Sequence, residues 1–130
     1  MSIHSVYRER GNKYMSIHHK VIGDGYPIVM LHGWTLDHQV MLHAMEPLFE
    51  KRSGWKRIYI DLPGMGHSES QPSIQNSDDI LEAILRLLDE IIPDQPFIIC
   101  GSSYGGYIAR GIVHSRQDTV RGLLLMAPLT

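Results

Sequence analysis

Short continuous runs of apolar residues recur along the chain, separated by longer segments in which apolar residues return every three or four positions. The runs at residues 28–31 and 97–100 contain no charged residue. Such runs are typical of strands buried on both faces of a sheet. Residues 57–60 and 120–127 predict two further strands. The segments between the runs are long enough for the helical crossovers that parallel strands require.

The first intervening segment predicts a helix that begins near Asp37, a residue type that caps helix N-termini. The predicted buried stripe, at helical spacing, consists of Met41, Ala44, Met45 and Leu48. Pro47 is expected to kink or restart this helix because proline lacks a backbone N–H.

Two more helices follow. Cap residues and acids at residues 76–79 predict the start of the second helix, which Pro93 closes. Its predicted apolar face consists of Ile80, Leu81, Ile84, Leu87, Leu88 and Ile91. Residues 104–116 predict the third helix. The alternation of strands and helices predicts an α/β fold with a mostly parallel sheet and helices on both faces.

The N-terminal segment has a different pattern. Residues 5–22 alternate weakly and are rich in polar side chains, which predicts an edge hairpin with strands near residues 5–8 and 14–22. Gly11 and Asn12 are expected to lie in its turn. No repeat or linker-like stretch divides the chain, so residues 1–130 are interpreted as one domain with a parallel core over residues 28–130.

Ser103 occupies the most informative position in the chain. It lies in a G-x-S-x-G pattern, directly after the predicted strand at residues 97–100 and before the third helix. In that context the pattern is a nucleophile elbow, a turn so tight that its flanking residues, Gly101 and Gly105, have almost no side chain. The helix that follows directs its positive N-terminal end at the same place.

Three segments together resemble the α/β-hydrolase superfamily. They are the strand and H-G-W loop at residues 25–34, the D-L-P-G-M-G-H-S loop at residues 61–68, and the elbow at residues 101–106. Each follows a predicted strand, in the order typical of the family. The resemblance covers nearly the whole chain but corresponds to the N-terminal half of the family fold. The sheet is therefore expected to be truncated after the strand that follows the nucleophile helix.

The resemblance implies roles for individual residues. Ser103 would be the nucleophile, and the backbone N–H groups of Tyr104 and Trp34 would form the oxyanion hole. His32 would brace the oxyanion loop by hydrogen bonding rather than act as a base, and Gly33 would leave that loop free to turn an amide toward the site. Preorganised donors of this kind stabilise the developing oxyanion by about 3–4 kcal/mol each.

Neighbouring polar residues allow other interpretations. Ser102 is a rival nucleophile, but side chains alternate along a strand, so it is expected to point away from the exposed turn. Asp61 and His67 could form a catalytic pair. The favoured interpretation is that Asp61 caps its glycine-rich loop and that His67 lies at the mouth of the pocket.

The remaining histidines predict no metal site. His18 and His19 lie in the hairpin, where no carboxylate or thiol partner is evident. His38 and His43 are expected on the surface of the first helix. Neither a metal nor a cofactor is implied by the sequence.

A serine nucleophile needs a base and an acid that orients it, and in this family both follow the serine along the chain. After Ser103 the chain offers only His114 and Asp118. His114 is expected about 16 Å away along the helix, and Asp118 at the opposite end of the sheet. The triad acid and histidine are therefore expected from a missing C-terminal half or from a second polypeptide.

Composition excludes several classes of function. A net charge of −2 leaves no basic surface for nucleic acid. The single cysteine, Cys100, excludes an internal disulfide and is typical of a reducing compartment. The sequence contains neither an apolar signal segment nor a run of transmembrane length, so the chain is expected to be cytoplasmic, without a membrane partner.

The leading functional hypothesis is a serine hydrolase that attacks a small-molecule ester, thioester or amide through an acyl-enzyme, without a cofactor. One alternative is a cofactor-free carbon–carbon hydrolase, lyase or perhydrolase on the same fold. Another is a binding protein with the hydrolase fold, or an inert fragment. The 130-residue chain alone is expected to be inactive because it lacks the triad acid and histidine.

The predicted last strand has an experimental consequence. It would be an exposed apolar edge, which favours pairing with another chain. The isolated chain is therefore expected to self-associate or to require a partner polypeptide, as sizing by light scattering would show. A monodisperse monomer that melts cooperatively would contradict this expectation.

Overall fold

A computed structural model describes residues 2–8 and 14–127, with side chains from Ser16 onward. These residues form six strands and three helices. In chain order they are β1 (Ser2–Arg8), β2 (Tyr14–Ile22), β3 (Tyr26–Leu31), α1 (His38–Phe49), β4 (Trp55–Ile60), α2 (Ser77–Ile91), β5 (Phe97–Ser102), α3 (Tyr104–Ser115) and β6 (Val120–Met126). The turn predicted at Gly11 and Asn12 lies outside the described residues.

The strands form one sheet in the order β1-β2-β4-β3-β5-β6. The pairs β1–β2 and β2–β4 are antiparallel, whereas β4, β3, β5 and β6 run parallel to one another. The predicted fold class, an α/β fold with a mostly parallel sheet, is confirmed. From β3 the chain moves to β4 on one side, then crosses to β5 on the other side. The direction of winding therefore reverses beside β3, and the crevice at the carboxyl ends of β3 and β5 is where such sheets bind ligands.

Alternate residues of the central strands pack on opposite helical layers. In β3, Val29 and Leu31 contribute to a core shared with α2 and α3. Ile28 and Met30 instead face a second core that contains Met41 and Met45 of α1. Helices thus cover both faces of the sheet, and the short apolar runs in the sequence are strands buried on both sides.

Side-chain caps begin α1 and α2 at the predicted residues. Asp37 accepts a hydrogen bond from the Gln39 N–H at 2.9 Å, and Asn76 accepts one from the Asp79 N–H at 2.9 Å. Each cap satisfies a backbone donor that has no partner within the helix. The α2 face is also as predicted, since Ile80, Ile84, Leu87 and Leu88 are all buried.

The buried stripe expected for α1 is wrong. Ala44 is exposed and Leu48 is 51% exposed, so the buried stripe runs through Met41 and Met45 on a neighbouring line of the helix. Pro47 does not restart α1, which continues to Phe49, and a kink at Pro47 stays a prediction. Pro47 lies in the last turn of α1, two residues before its end. The N–H that proline lacks therefore removes only one hydrogen bond from the helix.

Strand β6 exposes apolar side chains. Leu123 is 41% and Leu124 is 45% accessible to solvent, although both belong to an apolar run. Within residues 14–127 no helix has both the length and the apolar character needed to span a bilayer.

The contrast between Leu87 and Leu48 can be measured. Leu87 is fully buried in the core beneath α2, so Leu87→Ala is expected to lower the free energy of unfolding by about 2–5 kcal/mol. Leu48→Ala, the matched control on α1, is expected to change it by less than about 0.5 kcal/mol. Urea denaturation of both variants checks this. Equal losses would show that the assignment of the two helix faces is wrong.

Candidate active site

The candidate site lies where the winding of the sheet reverses, at the carboxyl ends of β3, β4 and β5. Residues 32–37 follow β3, residues 61–76 follow β4, and Ser103 follows β5. Because these strands are parallel neighbours, their following segments meet at one edge of the sheet. The three motifs found in the sequence are thus brought together.

Ser103 has a backbone conformation that is rare outside glycine, with φ at 52° and ψ at −117°. Two kinds of backbone hydrogen bond hold it there. Its N–H donates to the Met126 carbonyl at 2.9 Å, and its carbonyl accepts from the N–H groups of Gly106 and Tyr107. Ser103 is the N-cap residue of α3, yet its hydroxyl makes no capping hydrogen bond. The hydroxyl is therefore not used in starting the helix.

The two glycines of the elbow are required by close backbone contacts. A Cβ atom on Gly105 would overlap the carbonyl oxygens of Leu31 and His32. One on Gly101 would overlap the Gly105 carbonyl. These neighbours are backbone atoms, which cannot swing aside as a flexible side chain can. The first turn of α3 can therefore lie against the end of β3 only when both positions are glycine.

His32 is fully buried and links two loops. Its Nδ1 lies 2.6 Å from the Gly33 carbonyl oxygen, and its Nε2 accepts the Leu62 N–H at 2.9 Å. This pattern requires a neutral ring with the proton on Nδ1. Burial lowers the pKa of His32, which favours the same neutral form. Both ring nitrogens are occupied in joining the loops after β3 and β4.

The loop that follows β3 lies beside the elbow. A Cβ atom on Gly33 would lie 3.6 Å from the Cβ of Ser103. The Trp34 and Tyr104 rings meet edge to face, with centroids 5.0 Å apart. The residues predicted to supply the two oxyanion-hole N–H groups are therefore neighbours in space, although 70 positions separate them in sequence.

The Asp61 carboxylate is fully buried and accepts four hydrogen bonds. Its Oδ1 accepts from the backbone N–H of His38 at 2.7 Å and from the His38 ring at 2.9 Å. Its Oδ2 accepts from the His18 ring at 2.8 Å and from the His67 N–H at 3.0 Å. One side chain thus joins β2, the start of α1 and the glycine-rich loop.

Ser68 extends this network. Its hydroxyl donates to the Asp61 carbonyl at 2.6 Å and accepts the His18 N–H at 2.9 Å. Burial alone would raise the pKa of Asp61, but hydrogen bonds from the His67 and His38 backbone and from the His38 ring outweigh it. The pKa of Asp61 therefore lies below its ordinary value, and the carboxylate is charged at neutral pH.

Two sequence expectations about histidine are wrong here. His38 is 5% exposed rather than a surface residue, and His18 does meet a carboxylate. His43 is exposed, as predicted. The buried setting of His38 comes from Asp61, 23 residues further along the chain, so local periodicity carried no signal of it. For the contact of His18 with Asp61, the one signal in the sequence was that two histidines are adjacent in an otherwise alternating strand.

His18, His38 and Asp61 are close enough to share a metal ion, since their ligand atoms lie within 4.8 Å of one another. However, each carboxylate oxygen already accepts two N–H groups, which fills the four positions at which a carboxylate accepts hydrogen bonds. The arrangement is therefore satisfied as a hydrogen-bonded network without an ion.

A cleft of about 730 Å³ opens beside the elbow. Its polar lining consists of Thr35, Ser70, Gln75, Asn76, Ser77 and Tyr104, and its larger apolar side chains are Trp34, Met65, Ile74 and Ile80. No charged side chain lines it among the described residues. His67, expected at the pocket mouth, is exposed but lies against the His18 ring rather than in this lining. The cleft can therefore hold an uncharged, partly apolar group beside Tyr104, the residue that follows Ser103.

Of the other candidates, Ser102 directly precedes Ser103, whereas His114 and Asp118 lie away from the elbow. Ser102 is the last residue of β5, His114 lies in the last turn of α3, and Asp118 lies in the turn before β6. Within residues 14–127 no histidine or carboxylate is hydrogen-bonded to the Ser103 hydroxyl. Burial raises the pKa of the Cys100 thiol to about 11, so it is protonated at neutral pH.

Comparison with known proteins points to one family. Residues 26–130 match the sequence profile of the alpha/beta hydrolase fold. The chain is 35% identical over 112 residues to a pimeloyl-[acyl-carrier protein] methyl ester esterase of Shewanella woodyi, covering 86% of this chain and 40% of that protein. It is 31% identical over 108 residues to the AB hydrolase superfamily protein YisY of Bacillus subtilis, covering 82% and 39%.

A solved structure gives the same result. The alpha/beta superfamily hydrolase of Oenococcus oeni PSU-1 superposes with a TM-score of 0.81 at 40% identity, covering 96% of this chain and 45% of that one. The chain thus spans about two fifths of the length of the curated relatives it matches.

The Asp61 network predicts a large loss of stability on mutation. Asp61→Asn removes the charge and places an N–H₂ group among N–H donors, so the free energy of unfolding is expected to fall by about 3–5 kcal/mol. Asp24→Asn, at an exposed turn, is the matched control and is expected to change it by less than about 0.5 kcal/mol. Urea denaturation at neutral pH measures both.

Comparison of wild type with Asp61→Asn at different pH values tests whether Asp61 is charged in the folded protein. The pKa of Asp61 is lowered on folding, so the stability from its charge is fully present above 3.8, its ordinary value, and is lost as pH falls through the lower folded pKa. The difference in unfolding free energy between wild type and Asp61→Asn is therefore expected to shrink below about pH 4. A difference that grows on acidification would contradict the network.

Proposed function

Because this chain belongs to the α/β hydrolase fold family, we propose that it carries the nucleophile and oxyanion hole of a serine hydrolase that acts on esters. Ser103 is the nucleophile, and the backbone N–H groups of Tyr104 and Trp34 bind the oxyanion. His32, Gly33, Gly101 and Gly105 hold these groups in position.

The conformation of Ser103 carries the proposal. Strained backbone of this kind costs about 1–3 kcal/mol and is retained only where the surrounding structure fixes it. Here the Ser103 hydroxyl makes no capping hydrogen bond to the helix, and Trp34 and Tyr104, which neighbour Ser103, line an uncharged cleft. A hydroxyl that is held in place but structurally unused is what a nucleophile requires.

The reaction follows from this arrangement. Ser103 Oγ attacks the ester carbonyl carbon while its proton passes to a base, and the oxyanion accepts hydrogen bonds from the two backbone amides. Collapse of the tetrahedral intermediate breaks the bond to the alcohol, which leaves with a proton returned by the base. Water then attacks the acyl-enzyme by the same steps and releases the acid.

The base does not come from the histidines described above. His18, His32 and His38 are buried and already hydrogen-bonded to other groups. His67 lies against the His18 ring rather than in the cleft lining, and His114 lies in the last turn of α3. The histidine and the acid that orients it are therefore assigned to residues outside this chain. The chain alone would keep only the acceleration due to the oxyanion hole and substrate binding, about 10³–10⁴ over water at most.

A small-molecule ester is the proposed substrate class. Relatives at 35% and 30% identity carry names that state methyl ester hydrolysis, and an uncharged cleft is suited to a neutral ester. The members of the fold below 25% identity include proteins named for other reactions and support the fold alone.

Labelling and turnover test the proposal together. The polypeptide that contains this chain, expressed at its natural length, is treated with a fluorophosphonate and analysed by mass spectrometry. We expect one adduct on Ser103, abolished by Ser103→Ala and retained by the matched control Ser102→Ala. Hydrolysis of a p-nitrophenyl ester is expected to fall at least about 10³-fold in Ser103→Ala alone. Unchanged turnover in that variant would refute the assignment.

A further inference from the structure

The peptide unit that joins Gly33 to Trp34 is held by its carbonyl end. The Gly33 carbonyl oxygen accepts a hydrogen bond from the Leu36 N–H at 3.2 Å, and His32 Nδ1 lies 2.6 Å from the same oxygen. A peptide unit is planar and almost always trans, so its N–H points away from its carbonyl. The hydrogen bonds to this carbonyl therefore set the direction of the Trp34 N–H, which is proposed above to bind the oxyanion.

Thr35 makes the turn around this peptide unit strained. The hydrogen bond from Leu36 closes a four-residue turn in which Thr35 is the third residue, with φ at 62°. A turn with positive φ at its third residue favours glycine or asparagine there. A β-branched residue with positive φ is rare, and strained backbone persists only where the surrounding structure holds it. The loop at residues 33–37 therefore has to be fixed at its ends.

Two consecutive residues after β4 hold the two ends of this loop. At its start, the His32 ring accepts the Leu62 N–H at 2.9 Å. At its end, His38 donates its backbone N–H and its ring N–H to Asp61 Oδ1, at 2.7 Å and 2.9 Å. His38 is the first residue of α1, so these two hydrogen bonds fix the point at which the loop ends and the helix begins.

Asp61 is a firm support for the end of the loop because its carboxylate is fully buried and accepts N–H groups from three segments. Building on the ester hydrolysis proposed above, we infer that Asp61 and His38 are positioning residues for the oxyanion hole. They hold the end of the loop that carries the Leu36 N–H, and that N–H in turn holds the peptide unit of Trp34. Neither positioning side chain lines the cleft, so both act through the loop and not through contact with the substrate.

Residues with this role affect the transition state more than substrate binding. The oxyanion forms only after Ser103 has attacked, so displacement of the Trp34 N–H is expected to lower kcat and to leave KM nearly unchanged. Loss of an oxyanion donor costs about 10²–10³ in kcat. His38→Ala removes the ring N–H but keeps the backbone N–H, so the donor is displaced rather than lost. We therefore expect a fall in kcat of about tenfold in this variant.

A substrate whose carbonyl oxygen is replaced by sulfur tests the oxyanion hole directly. Sulfur is a weak hydrogen-bond acceptor, so a thionoester gains little from the two backbone donors. Hydrolysis of p-nitrophenyl acetate and of O-(p-nitrophenyl) thionoacetate is measured on one sample of the polypeptide at its natural length. The ratio of the two kcat/KM values reports on the oxyanion hole. It does not depend on the folded fraction of the sample, since both substrates meet the same enzyme.

The oxygen-to-sulfur ratio is expected to fall about tenfold in His38→Ala, and at least as far in Asp61→Asn, which also loses the charge. His38→Asn keeps a side-chain N–H near the place of Nδ1 and should return the ratio to within about threefold of wild type. His38→Ala alone decides the result if Asp61→Asn does not fold.

Two control variants separate positioning from stability. His18→Ala removes a hydrogen bond from the other oxygen of the same carboxylate, but His18 lies in β2 and not at an end of the loop. It is expected to lower the free energy of unfolding and to keep the oxygen-to-sulfur ratio within about twofold of wild type. His43→Ala, which removes an exposed histidine from α1, should change neither quantity.

The outcomes distinguish this inference from the proposed function. A ratio that is unchanged in His38→Ala, or that falls equally in His18→Ala, would overturn the positioning roles. If Ser103 still forms its fluorophosphonate adduct, that result leaves the proposed hydrolase intact. Turnover that survives Ser103→Ala would instead refute the nucleophile, and the positioning roles with it, because no oxyanion would then form at this elbow.

Discussion

The first turn of α3 lies close against the end of β3, backbone to backbone. Side chains at Gly101 or Gly105 would overlap backbone carbonyls, so both glycines are obligatory for the approach. The approach places Ser103 next to the loop that follows β3 and forces its backbone into a conformation rare for serine. Trp34 on the loop after β3 and Tyr104 at the start of α3 meet beside this contact, and both line the cleft.

A second constraint holds the neighbouring loops. Asp61 joins three segments through N–H donors, and His32 ties the loop after β3 to the loop after β4. These are charge-assisted or buried hydrogen bonds, whose partners are costly to remove. The edge of the sheet is therefore rigid where the chemistry is proposed, and a rigid edge keeps backbone donors in position without reorganisation during the reaction.

Sequence patterns predicted the features that depend on local spacing. The runs of apolar residues gave the parallel strands, and the glycines at positions 101 and 105 identified the elbow, because both are properties of neighbouring residues. The buried state of His38 was missed because its partner is 23 residues away. The hydroxyls of Ser77 and Tyr104 lie 2.7 Å apart although 27 positions separate them, and this contact has no local signature. The α1 stripe was misplaced because small and large apolar residues also occur on its exposed side.

The absence of a capping bond from Ser103 has a broader consequence. The turn is fixed by backbone hydrogen bonds of residue 103 and by the two glycines. Its geometry therefore does not depend on the functional group of the side chain at position 103. A side chain with a thiol or a carboxylate could replace serine at position 103 without disturbing the start of α3. The backbone therefore sets the shape of the site, and the side chain at position 103 sets the attacking atom. A substitution at this position can change the reaction without changing the fold around it.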